Sequence, residues 1–492
     1  MAKDLHRALS GYGGKARVSF HTPGHKGRSE FFHGLDFPAF DLTELPGLDM
    51  LHAPTGVIAA AQARAAEVFG ADATFFLVNG GTGGNQAMLM AVAGERGGNV
   101  LVERASHRSV LAALILTGLT PVYLPPVIHP DFHLPLGLAM GLLPAAGRTA
   151  GHPAAIHVTY PRYYGSVPDL AGVITYRDAC CPQTPVLVDQ AHGSHYVGEL
   201  FPLSATALGA DIVLHSTHKT LPALTQAAML HVCGERVSRS RLRQALELLQ
   251  SSSPSYLLLA SLERAAENAL TLEPWQALAE EVAALRQTLR GKLRLLGPED
   301  AGSYGIKQVD WSKILVNTRS LGLPAPICAE YLRARFGIEP ELWDAENILF
   351  VLGLGNTPQD VRLLGQALVS MAAPRRVCAL AASRWDQAAG VPSTAGWEVW
   401  DRQPFPPQRL TPRQAFLARK RLIPLRESLG QVAGETISPY PPGVPLVVMG
   451  EEMTPEVLEL LMQGRAQRWQ GWEGFAAGQV WVVEQEAKEL PR

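Results

Sequence analysis

From residue 56 to 232 the chain repeats one unit. A short apolar run reads as a strand, then comes a break rich in Gly, Ser, Thr or His, then a stretch with helical spacing. Strands are expected at 74–78, 99–103, 121–124, 154–159, 185–188, 212–214 and 227–232, and helices at 57–69 and 86–93 among the segments between them. Alternation of this kind builds a mostly parallel, doubly wound α/β sheet. It also says where to look for chemistry, because ligands of such sheets bind beyond the carboxyl ends of the strands.

Four candidates fall just after expected strands. Lys219 follows the run 212–214 in IVLHSTHK, and Asp189 follows 185–188. Lys219 reads either as a solvated loop lysine or as a Schiff-base lysine aimed into a cleft. An acid at one strand end and a lysine at a later one is the pairing that pyridoxal phosphate needs. The acid holds the pyridine nitrogen protonated and the lysine carries the aldehyde. The run Asn79-Gly-Gly-Thr-Gly-Gly-Asn85 reads as a tight turn or as a phosphate cradle at a helix start. His107 reads as a buried hydrogen-bonded histidine or as a plate stacked on a cofactor ring.

Composition narrows the class. With 492 residues the chain exceeds one core, so two or three domains are expected. A net charge of −2 without a Lys/Arg block argues against nucleic acid or an anionic membrane as a main partner. Five cysteines without a CxxC pair suit a reducing compartment and give no zinc site. The first residues lack the apolar core of a signal peptide, and no apolar run reaches membrane-spanning length, so a cytoplasmic, soluble protein is expected.

Ahead of the alternating region, residues 1–15 read as a short helix, and 1–55 as an arm that wraps a surface or a neighbouring subunit. His21 and His25 read most simply as turn and capping residues. After the large domain (56–270), a long helix at 276–297 leads to a smaller α+β domain (271–375). Its strands are expected near 314–317 and 348–354, and its helices near 325–336 and 358–371. A Pro- and Trp-rich linker (376–410) precedes a C-terminal extension (411–492) with a helix at 455–464.

The segments HTPGHKG (21–27), FGADATFFLVNGGTGGNQAM (69–88), SHRSV (106–110), VLVDQAHGSHY (186–196) and STHKTLPALTQAA (216–228) resemble the pyridoxal-phosphate-dependent ornithine/lysine/arginine decarboxylases. The resemblance runs on through LELLQSSSPSYLLLASL (246–262), TPRQAFL (411–417) and ISPYPPGVPLVVMGE (437–451), and so covers nearly the whole chain. It implies an aspartate-aminotransferase-like large domain (fold type I) and pyridoxal 5′-phosphate as cofactor. Lys219 would bind the aldehyde and Asp189 the pyridinium nitrogen. His107 would stack on one ring face and Ala191 pack on the other. Thr82, Gly83 and Ser216 would hold the phosphate, with Ser252 or Ser253 from a second copy, since this fold type builds its site at a dimer interface. His192 would lie by the phenolic oxygen, and His218 would help to return the proton that replaces CO2.

The implied reaction is decarboxylation of a basic amino acid. Arginine, giving agmatine, is favoured, with lysine and ornithine next. Glu341, Asp344, Glu44, Asp49 and Glu435 are the candidate acids for its side chain. Transamination or elimination is the alternative, with Arg333 or Arg335 as a carboxylate ligand, and a cofactor-binding protein without turnover is a third reading. The chain departs from the family pattern at Gln190, Gly81, Ala228, Met50, Ala53 and Thr55, and the last three bear on substrate choice or the dimer contact.

Overall fold

A computed structural model describes residues 18–20, 24, 44, 48–94, 98–373, 377, 405–440, 443–463 and 469–484. The expected helix at 1–15, all of the 21–27 motif except Gly24, and most of the linker lie outside the described residues.

The alternating region folds as a seven-stranded sheet of β1 (Ala73–Leu77), β2 (Asn99–Glu103), β3 (Thr120–Leu124), β4 (Ile156–Thr159), β5 (Val186–Asp189), β6 (Ile212–His215) and β7 (Ala228–Val232). The spatial order is β1-β7-β6-β5-β4-β2-β3. Only β7 runs against its neighbours; the other pairings are parallel. Each of the seven strands expected in this region lies within two residues of an observed one.

Side chains alternate along the central strands, as a sheet covered on both faces requires. Leu187 and Leu214 pack with Met88 and Val102 under helices α2 (Gly80–Val92) and α3 (Arg108–Thr117). Val188 and Val213 turn to the other face, into a cluster that continues through Trp275 and Val282 to Leu364 and Leu368. A third cluster joins Ile58 and Ala65 of α1 (Val57–Phe69) to Phe76, Met229 and Leu262.

Helix α2 starts earlier than its sequence suggests. Its glycines make up its first turns rather than a loop before it. Each glycine costs roughly 1 kcal/mol in a helix interior, which is why the run reads as a turn. Packing overrides that preference. A Cβ on Gly81 would lie 2.3 Å from Ser216 Oγ, and one on Gly84 2.3 Å from Leu214 Cδ1. Only a bare backbone can lie this close to β6.

The connecting helix spans Glu273–Leu289, shorter than expected, because Arg294–Leu295 pairs as a strand with Val316 and Asn317. That strand belongs to an antiparallel four-stranded sheet with Lys313–Asn317, Asn347–Val351 and Leu342–Trp343, covered by helices Ala325–Phe336 and Pro358–Met371. The C-terminal extension pairs Lys420–Pro424 with Gln479–Val483 and buries Ile423, Val447 and Val480 together with Ile128 of the large domain. It docks through Arg104, fully buried, which donates to both carboxylate oxygens of Glu451 at 2.6 and 2.8 Å and to Pro445 O at 3.1 Å. Among the described residues no helix is long and apolar enough to cross a membrane.

Candidate active site

Asp189 closes β5, and the register places it beside Leu214, so the turn after β6, Thr217–Lys219, begins next to the acid. The carboxylate is buried and held from two sides. Asn85 Nδ2 donates to Oδ2 at 2.8 Å and the Ala191 N–H to Oδ1 at 3.1 Å. Asn85 is fixed in turn by His157, whose Nε2 lies 3.2 Å from its Oδ1. Burial lowers the His157 pKa to about 4, so the ring is neutral and donates through Nε2. Asn85 also donates to Ser109 Oγ at 2.9 Å, and that hydroxyl lies 2.7 Å from Nδ1 of His107, the cap of α3. One hydrogen-bonded chain therefore joins Asp189 to His107, which is exposed.

Lys219 is half-buried, with Nζ 2.8 Å from Nε2 of His192. Burial drives its amine below the ordinary lysine value; Asp189 and Glu341 act against that shift and Lys313 adds to it. His192 is pushed well down by burial and then by the positive charges of Lys219 and Lys313, so its neutral ring accepts from the Lys219 amine. The hydrogen then sits on Nδ1, which has no partner among the described residues. Tyr163 sets its ring edge-on to His192 at 4.8 Å between centroids and donates its hydroxyl to Glu341 Oε1 at 2.8 Å. Lys219, His192, Tyr163 and Glu341 thus form one continuous wall. His218, beside the lysine, has its Nδ1 3.0 Å from the carbonyl oxygen of Ala227.

Thr82 and Gly83 lie in the first turn of α2, with Ser216 Oγ against its glycine face. No side chain caps this helix start, because Asn79 at the cap position donates instead to the carbonyl oxygen of Leu249. Ser252 and Ser253 are exposed on the loop that follows the helix Arg239–Leu249.

Other candidate acids are engaged elsewhere. Asp49 accepts from the backbone N–H groups of Met50, Thr55, Gly56, Ile58 and Ala59 at the start of α1. Burial alone would raise its pKa, but these donors lower it to about 2. Asp344 is buried in a turn, accepting from the N–H groups of Glu346 and Asn347 at 2.8 and 2.7 Å. Glu44 stands near Tyr256 with Asp49. Glu435 accepts from the N–H groups of Glu473 and Trp481 within the extension. Arg333 is held by Glu339 and Glu330, and Arg335 is exposed. Met50, Ala53 and Thr55 are exposed around the start of α1. Gln190 is fully buried and braces its turn, donating to Gly193 O at 2.8 Å and accepting from the Ala205 N–H at 2.7 Å.

Sequence reasoning missed Asn85, Tyr163 and Lys313. Asn85 lies inside the glycine run, and Tyr163 follows β4 at the same sheet edge as the other candidates, so the strand-end rule could have found both. Lys313 opens a strand, KILVN, whose middle is apolar, and that contrast was its only signal.

These residues fit pyridoxal 5′-phosphate. The uncapped start of α2 suits a phosphate, a buried acid at a strand end suits a pyridinium, and the lysine suits an aldehyde. The unpartnered Nδ1–H of His192, beside Lys219, suits an oxygen next to that aldehyde. A family model described as the Orn/Lys/Arg decarboxylase major domain matches residues 3–310, and one described as the family's C-terminal domain matches 399–477. The chain is 34% identical over 476 residues to the arginine decarboxylase of Bacillus subtilis, covering 93% of each. It is 34% identical over 456 residues to that of Halalkalibacterium halodurans, covering 89% of this chain and 88% of the other. In fold it is similar to the Francisella novicida lysine decarboxylase LdcF, with a TM-score of 0.76 at 20% identity over 98% of this chain and 81% of that one. The chain belongs to the Orn/Lys/Arg decarboxylase family.

Proposed function

We propose that the protein decarboxylates arginine to agmatine and CO2, using pyridoxal 5′-phosphate held on Lys219. Decarboxylation of a basic amino acid goes with the family; arginine is the finer reading. The observation that carries it is the Glu341 carboxylate, fixed by the Tyr163 hydroxyl at 2.8 Å on the wall that ends in Lys219. A carboxylate held in one orientation suits the planar fork of a guanidinium better than the point charge of an ammonium. The relatives named arginine decarboxylases support the same choice.

When bound, the cofactor supplies the electron sink for the pair released with CO2. The chain's own groups do the rest. Asp189, locked by Asn85 and the Ala191 N–H, would hold a proton on the pyridine nitrogen. His107 would cover one ring face and Ala191 the other. Thr82, Gly83 and Ser216 would hold the phosphate, joined by Ser252 or Ser253 of a second copy. His218 would deliver the proton to the substrate's Cα.

The test is an absorbance spectrum of the purified protein, with amine and CO2 measured on arginine, lysine and ornithine. A cofactor band lost in Lys219→Ala, with agmatine as the main amine, is the expected result. A bound cofactor that yields no CO2 from any of the three would overturn the reading.

A further inference from the structure

Behind His192 lies a buried cationic group that the reaction above does not use. Lys313 is 1% exposed. Its ammonium donates to the carbonyl oxygen of His192 at 2.8 Å and to Asp310 Oδ2 at 2.6 Å. Asp310 is held from behind: the Ser312 N–H and hydroxyl donate to Oδ1 at 2.9 and 2.7 Å, and His195 Nε2 lies 3.4 Å from Oδ2. The stem of Lys313 is gripped from the Tyr163 side. Gly165, at φ 96°, lies so close that a Cβ there would be 2.8 Å from Lys313 Cβ. One small-domain lysine thus touches the loop of His192 and the turn of Tyr163, with its positive end toward the site and its counter-ion behind. An ion pair this deeply buried is often no more stable than an apolar pair of the same volume, so its value to the fold alone does not account for it.

We propose that Lys313 is a positioning residue: through the His192 carbonyl it fixes the imidazole that contacts Lys219, and it is the fixed positive charge that sets the Lys219 amine for capture of the cofactor aldehyde. The inference rests on the reading of Lys219 as the cofactor lysine. The charges facing Lys219 are Asp189, Glu341 and Lys313, with the neutral His192 in contact; those facing His192 are Lys219, Lys313, His107 and His218. Burial is the largest influence and disfavours the charged amine, the two carboxylates favour it, and Lys313 is the cation among these groups that adds to the effect of burial. Without it more of the amine would be protonated at neutral pH, and a protonated amine cannot attack an aldehyde.

The experiment follows capture of pyridoxal 5′-phosphate by the cofactor-stripped full chain, by absorbance, across the neutral to alkaline range. The double variant Lys313→Met with Asp310→Asn removes both charges, so no lone ion is left buried. Its capture profile is expected to move up, by less than the roughly one pH unit of a single nearby charge, because losing Asp310 offsets part of the effect. Lys313→Gln, which is neutral but still donates, is the second variant and is expected to move the same way, while Lys313→Arg holds the wild-type midpoint. A pH titration of the bound cofactor's absorbance is expected to shift in the same direction. Unshifted midpoints in a folded variant would overturn the proposal and leave Lys313 a packing residue. A Lys219→Ala variant that captures cofactor as well as the wild type would instead sink the reading of Lys219 itself.

Discussion

The amine of Lys219 donates to a neutral imidazole, with 2.8 Å between Nζ and His192 Nε2. Burial and the surrounding positive groups keep that ring uncharged, and a charged ring could not accept. His192→Phe keeps a ring but removes the acceptor. It also removes the Nδ1–H that would bond the cofactor oxygen, so cofactor retention is expected to fall roughly tenfold or more, as for one lost hydrogen bond to a charged group of about 1.5–3 kcal/mol. Cofactor release measured by dialysis and absorbance checks this, and unchanged retention would mean the contact is incidental.

Glu341→Gln keeps the Tyr163 hydrogen bond but not the charge. The KM for arginine is expected to rise roughly 10- to 100-fold with a smaller change in kcat, because a ground-state contact is lost. Steady-state kinetics decide this. An unmoved KM would send the search for the side-chain acid to the partner subunit.

Gly84→Ala places a Cβ against Leu214, and about 1–3 kcal/mol of destabilisation is expected from overpacking. Gly141→Ala is the control, since nothing lies within 4 Å of its added Cβ. Chemical denaturation of the pair separates helix-on-strand packing from a general intolerance of glycine replacement.

Arg104→Met leaves Glu451 as a buried, unpaired carboxylate. A loss of about 3–5 kcal/mol is expected for the single variant, and clearly less when Glu451→Leu is added. Limited proteolysis of the C-terminal extension gives a second readout. Equal losses in the single and double variants would refute the ion-pair account.

Burial raises the Asp344 pKa from 3.8 to about 6, against the hydrogen bonds of its turn. The folded state then holds this proton more tightly than the unfolded chain. Its contribution is full below about pH 4 and is lost as pH rises through about 6, a change of about 3 kcal/mol. Asp344→Asn does not titrate, so it should gain on the wild type across that window. Urea denaturation at a series of pH values tests the sign; a constant difference would show that Asp344 ionises normally.

The strand-and-break rhythm of residues 56–232 determined the α/β sheet by itself, because a period of two and a period of 3.6 are local properties of the chain. It placed Asp189, Lys219 and His107 at one sheet edge for the same reason: a residue after a parallel strand can only emerge there. Local pattern failed where packing decided. The glycines of α2 read as a loop, and only the approach of β6 makes a helix of them. Asp49, Asp344 and Glu341 look alike in the sequence, yet two carboxylates are engaged by nearby backbone N–H groups while the third meets a tyrosine 178 residues away. Asn85 and Lys313 gained their roles from contacts 104 and 121 residues distant in the chain. Charge and hydrogen bonding act through space over a few ångströms, so which polar group faces the site was settled by the tertiary fold.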